Sequence, residues 1–146
     1  MTSCGAQTRT NGGNDEPFVA DGVSTISATS SMISPRSAHT ATRLPDGQVL
    51  IAGGMERNGV IFGSAELYNP ATGRFTVAAK SMNKQRVGHT ATLLSNGKVL
   101  VAGGENDHAL ASAEIYDSAT GKFTLTGNLK AERTMHTAVL LAAAKY

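Results

Sequence analysis

Three histidines, His39, His89 and His136, stand 50 and 47 positions apart, and an arginine precedes each by three positions: Arg36, Arg86 and Arg133. Imidazole is the commonest metal-ligating side chain, so three of them turned toward one axis could share a metal. Their setting points elsewhere. Each His is followed by Thr (Thr40, Thr90, Thr137), and a polar group repeated at one position is expected to make the same hydrogen bond in every copy, because buried polar groups are satisfied. Glu66 and Glu114 recur in the same way. Acid–base work by two carboxylates needs environments that split their pKa values, whereas repeat-equivalent carboxylates have similar surroundings. Both are therefore expected to partner Arg or backbone. The run Glu105-Asn106-Asp107-His108 mixes several ligand types, but it lies in a short loop with no further residue at a recognised metal spacing, which is turn chemistry. No catalytic residue, metal or cofactor is assigned.

The elements that position these residues form a repeat, and repeats are read before single elements. Tyr68 to Tyr116 and Phe75 to Phe123 are both 48 positions, and Met32, Met82 and Leu129 each precede their arginine by four. The chain divides into a lead (1–31), two complete units (32–81 and 82–128) and the opening of a third (129–146). Each unit reads as four short strands. Asp46-Gly47 and Asn96-Gly97 predict two-residue type I′ hairpins between the first and second strands. Val49-Leu50-Ile51-Ala52 and Val99-Leu100-Val101-Ala102 are apolar without alternation, as in strands covered on both faces. Gly53-Gly54 and Gly103-Gly104 end those strands where backbone must approach closely or bulge. A third strand ends at Tyr68 or Tyr116. The turns Asn69-Pro70-Ala71-Thr72-Gly73 and Asp117-Ser118-Ala119-Thr120-Gly121 lead into a fourth strand carrying Phe75 or Phe123.

Four antiparallel strands repeated at this period predict an all-β chain, and the Gly pair, downstream Tyr and fourth-strand aromatic resemble the kelch repeat of β-propellers over roughly residues 32–141. Phe75 and Phe123 stand where many kelch repeats carry Trp, and the chain has no Trp. With His-Thr-Ala-Thr-Leu-Leu, this looks most like bacterial kelch proteins whose propellers resemble that of galactose oxidase. The resemblance implies an extracellular or cell-envelope setting. It also raises copper and radical chemistry, which in that enzyme family uses a Tyr cross-linked to Cys, a second Tyr and two His. Cys4 lies outside the repeats, Tyr68 and Tyr116 occupy the ordinary kelch position and Tyr146 comes last, so no catalytic residue carries over.

Bulk properties set further bounds. The length, 146 residues, would suit one domain, but a propeller usually needs four to eight blades, so a closed ring within one copy is not expected. The net charge is +2, with Lys and Arg scattered, and no basic stripe points to nucleic acid. No stretch has the length and apolarity of a membrane span or a signal peptide. The single cysteine, Cys4, excludes an internal disulfide; Ser3-Cys4-Gly5 before a polar tether also looks like the start of a mature bacterial lipoprotein. The lead is polar and expected to be flexible, although its alignment places 23–29 opposite 73–79, where a preceding unit would have its fourth strand.

The function expected is a non-catalytic binding or scaffold module for a protein or glycan. The alternative is a piece of a sugar-acting or galactose-oxidase-like enzyme whose active residues lie in other blades. Binding is assigned to the loops joining second to third strands (55–63, 105–111) and fourth strand to next unit (80–88), which antiparallel connectivity gathers at one end. Arg57, Lys84, Glu105, Asp107 and His108 are the candidate contacts. Exposed blade faces predict self-association, with 23–29 or 137–141 completing blades between chains.

Overall fold

The computed structural model describes residues 28–141, and these form strands and no helix. The first sheet holds β1 (Thr40–Arg43), β2 (Val49–Ala52), β3 (Ala65–Asn69) and β4 (Arg74–Val77), side by side in chain order. The second holds β5 (Thr90–Leu93), β6 (Val99–Ala102), β9 (Ala113–Asp117) and β10 (Lys122–Leu125), likewise in chain order. Every pairing is antiparallel. Neither sheet closes on itself among the described residues, so the chain presents two propeller-type blades stacked side by side.

Register fixes which side chains meet. Val49 pairs with Tyr68 and Tyr68 with Phe75; Val99, Tyr116 and Phe123 line up identically. The period-two alternation of a strand puts each such row on one face. In both sheets the Tyr and Phe rings sit 4.8 Å apart, centre to centre. The core lies between the sheets, where Leu50, Ala52 and Ala65 of the first join Val99, Val101, Tyr116 and Phe123 of the second. Tyr116 is 1% exposed, whereas its equivalent Tyr68 is only half-buried. The row containing Tyr116 faces the first sheet; the row containing Tyr68 faces away from the second. Burying one such aromatic fully is worth about 1.5–3 kcal/mol, so the seam between the sheets is a main source of stability.

Several local expectations need correction. The hairpins are not two-residue type I′ turns. Gly47 and Gly97 have φ of 88° and 80°, but Asp46 and Asn96 are not left-handed. Gly47 N–H donates to Leu44 O at 3.0 Å and Leu44 N–H to Gln48 O at 2.8 Å, which is a three-residue loop with a left-handed glycine at the bulge. Asp46 Oδ1 and Asn96 Oδ1 hold the turn by accepting the N–H of Gln48 and Lys98 at 3.0 and 3.1 Å. The loop after β6 also carries a small ribbon, β7 (Glu105–Asn106) paired with β8 (His108–Ala109), reversed at Asp107 with φ 47°. Residues 137–141, read as a further first strand, are not in a strand.

Of the strand expected over 23–29, only 28 and 29 are described, and they are not extended into a sheet. Thr29 Oγ1 nevertheless lies 2.9 Å from Tyr68 Oη and donates to Gly73 O at 3.2 Å, with Ser30 Oγ donating to the same carbonyl. Ala79 packs at the equivalent Gly121 of the second blade. Cys4, Tyr146, residues 23–27 and residues 142–144 lie outside the described residues.

Candidate functional site

Each blade is tied by a buried arginine. In the first, Arg36 Nη1 donates to Gly53 O and Ser64 O, both at 3.0 Å, and Nη2 to Ser64 Oγ at 3.2 Å and Glu66 Oε1 at 2.8 Å. Its Nε reaches Ser34 O at 3.3 Å, so all five donors of the fork are used. Arg86 repeats this with Lys84 O, Gly103 O, Ser112 O, Ser112 Oγ and Glu114 Oε1. The carboxylates are equally occupied. Glu66 accepts the N–H of Ile33 and Ser34 at 2.8 and 2.9 Å, and Glu114 those of Asn83 and Lys84 at the same distances. Burial alone would raise the Glu114 pKa, but bonds from Asn83, Lys84 and Arg86 outweigh it and hold the carboxyl below its ordinary value. Such a carboxylate, fully hydrogen-bonded and sealed from water, has no free lone pair for catalysis. Phe62 caps the first frame, its ring centre 4.8 Å from the Arg36 guanidinium carbon.

The seam is closed by glycine and histidine. Gly54 N–H donates to Arg86 O at 3.0 Å, and Gly104 N–H to Arg133 O at 2.8 Å, so each Gly pair docks the next arginine turn. A Cβ on Gly53 would stand 2.5 Å from Arg86 O and 2.7 Å from His89 Cε1. His89 Nε2 lies 2.9 Å from Thr40 Oγ1, and His136 Nε2 lies 3.2 Å from Thr90 Oγ1. Sequence reading anticipated a repeated histidine bond without identifying these partners, because Thr40 and Thr90 sit one blade back. The Nδ1 atoms of His39, His89 and His136 are buried without a hydrogen-bond partner among the described residues. Burial above all, then the charge of Arg86, pulls the His89 pKa from 6.5 to about 4. His136 is lowered too, by burial and by Arg133. His89 and His136 are neutral latches. No group of three or more potential ligands that could hold a metal occurs among the described residues.

At the opposite end from the Gly-bulge hairpins, the loops joining second to third strands differ between the copies. Glu56–Val60 forms a turn in which Asn58 Oδ1 accepts Val60 N–H, while the equivalent stretch of the second blade is the β7–β8 ribbon. A groove of about 620 Å³ runs between Val60–Ser64 and Ser81–Gln85, with Asn106 at its side. Of the five candidate contacts only Lys84 lines it. Arg57 lines a separate hollow of about 360 Å³ with Pro35 and Met55. Glu105, Asp107 and His108 are exposed on the ribbon. Gln85 carries no spacing signal in the sequence, and Asn106, weighed there only within the run 105–108, was not among the candidate contacts.

The Kelch motif family model matches residues 86–130, from the arginine turn of the second blade through its fourth strand to the next turn. No curated protein matches the chain. The matched motif spans the second of two four-stranded antiparallel sheets that share one strand order, an arrangement consistent with partial kelch blades.

Proposed function

We propose that this chain is a non-catalytic kelch blade module that binds a protein through the loops gathered at one end. The carrying observation is the contrast between the two ends of each repeat unit. Every bond of the arginine fork recurs between the two Arg–Glu frames, so these polar groups are consumed by structure, whereas the loop after β2 differs from the loop after β6 and the Lys84 side chain on the wall of the 620 Å³ groove is exposed. Loops on a rigid scaffold are where recognition is built. A glycan is favoured less, because the groove is lined by a single aromatic, Phe62, and the Arg36 guanidinium already covers one face of its ring. Selection from a random-peptide display library tests this. Enriched peptides should bind the chain and lose about tenfold or more in affinity on Lys84→Ala combined with Asn106→Ala, as expected for removal of a charged hydrogen bond. Failure to enrich any peptide, alongside binding on a glycan array, would reverse the choice.

Self-association belongs to the same reading. The face bearing Val49, Tyr68 and Phe75 is the equivalent of one that the first blade buries at the seam. The face bearing Leu100 and Ile115 is equivalent to Leu50 and Leu67, which cover that seam. A second copy supplies the complement, so sedimentation equilibrium should show a mass that rises with concentration; an invariant monomer mass would contradict it.

A further inference from the structure

The two buried frames are each made of three parts: a turn that carries the arginine, the carbonyl of the glycine that ends the second strand (Gly53 or Gly103), and a strand entering with Ser-Ala-Glu, at Ser64-Ala65-Glu66 and Ser112-Ala113-Glu114. Among the described residues a third turn, Lys130–Arg133, has the first part alone. Its backbone is already held as in the filled copies. Leu129 N–H donates to Ala111 O at 2.8 Å, as Met82 does to Gly63 O at 2.8 Å. Arg133 N–H donates to Leu110 O at 3.2 Å, as Arg86 does to Phe62 O at 3.3 Å. Arg133 Nε reaches Ala131 O at 3.3 Å, against 3.4 Å for Arg86 Nε to Lys84 O. The second blade thus fixes the turn in its receiving shape. Arg133 is exposed, and no carboxylate pairs with it among the described residues.

We propose that Lys130–Arg133 is a receptor for an extended peptide segment carrying Ser-Xaa-Glu. By equivalence with the occupied frames, the N–H groups of Lys130 and Ala131 meet the glutamate carboxylate, as those of Asn83 and Lys84 meet Glu114. The Arg133 fork takes the carboxylate together with the serine carbonyl and hydroxyl. A planar fork with backbone donors beside it reads geometry as well as charge. Aspartate, one methylene shorter, does not span the distance. Lys130 adds positive charge beside the site, and Glu132 flanks it with one negative charge. A folded second copy is not the donor, because Glu66 and Glu114 are 1% and 0% exposed within their own frames. The ligand is a strand from another polypeptide segment. This site is separate from the groove at Lys84, so either proposal can fail without the other.

The test uses the full chain, labelled with nitrogen-15, and an acetylated and amidated peptide of the sequence 110–116, Leu-Ala-Ser-Ala-Glu-Ile-Tyr. Titration should shift the Lys130 and Ala131 amides and the Arg133 Nε resonance progressively. Replacing the peptide glutamate by glutamine or aspartate should weaken binding about tenfold or more, the effect of losing a charged hydrogen bond. Arg133→Gln should abolish the shifts, and Arg133→Lys should weaken them because an ammonium cannot reproduce the fork. Arg133 is exposed, so the variants keep the fold, which the unchanged remainder of the spectrum verifies. Absence of these shifts at about millimolar peptide, equal shifts with the glutamine peptide, or shifts confined to the Lys84 groove would each overturn the assignment.

Discussion

His89 Nε2 meets Thr40 Oγ1 at 2.9 Å, joining the second blade to the first through a histidine whose ring is almost wholly removed from water. His136 and Thr90 repeat the relationship one blade on. The latch works only with a neutral imidazole, since Arg86 lies close and burial penalises the cation.

Stability should therefore depend on pH in a defined window. The folded pKa of His89, about 4, lies below the 6.5 of the unfolded chain, so the unfolded state takes up the proton first. The contribution is fully present above pH 6.5, declines as pH falls toward 4 and then levels off. The loss is on the order of 3 kcal/mol. Glu114, whose pKa is also lowered, withdraws its share at lower pH still. Denaturant midpoints measured across this range should fall in wild type and flatten in His89→Gln.

Gly104→Val should destabilise the fold by roughly 1–3 kcal/mol, the range for enforced backbone strain. Its φ is 90°, and a Cβ would lie 2.7 Å from Val87 O and 2.9 Å from His89 Cβ. Gly47 has φ 88° with nothing within 4 Å, so Gly47→Asn, a residue that tolerates the left-handed region, should cost far less. Equal shifts in the urea midpoint for the two variants would contradict the close-approach account.

Removing one half of a buried frame should be worse than either change above. Arg86→Met leaves Glu114 charged, sealed and without its cation, which costs about 3–5 kcal/mol. Arg86→Lys should fail almost as badly, because five fixed acceptors match a guanidinium and not an ammonium. Urea unfolding curves of both variants give the comparison directly.

Much of this architecture was legible in the sequence. The spacing of Gly103-Gly104, Tyr116 and Phe123 is a repeat signal, and repeats translate into equivalent strands whatever surrounds them. The hairpin type was not legible, because Asp-Gly and Asn-Gly favour two turn types. The choice was made by the Gly47 N–H bond to Leu44 O and by the Asp46 side chain holding Gln48 N–H. The partners Thr40 and Ser64 were equally hidden, since each lies tens of residues from the side chain it meets. The loop contacts were the least legible. Charge picked out Lys84, but the fold set Asn106 beside the same groove and kept Arg57 apart.

The central claim, that the loop end recognises a protein, is tested most directly by mapping a selected peptide on the nitrogen-15 spectrum of the full chain. The account predicts amide shifts concentrated at 60–64, 81–85 and Asn106, the residues that border the groove, and their loss in the Lys84→Ala, Asn106→Ala variant. Shifts clustered instead at the hairpin end, around Asp46–Gly47 and Asn96–Gly97, would contradict it.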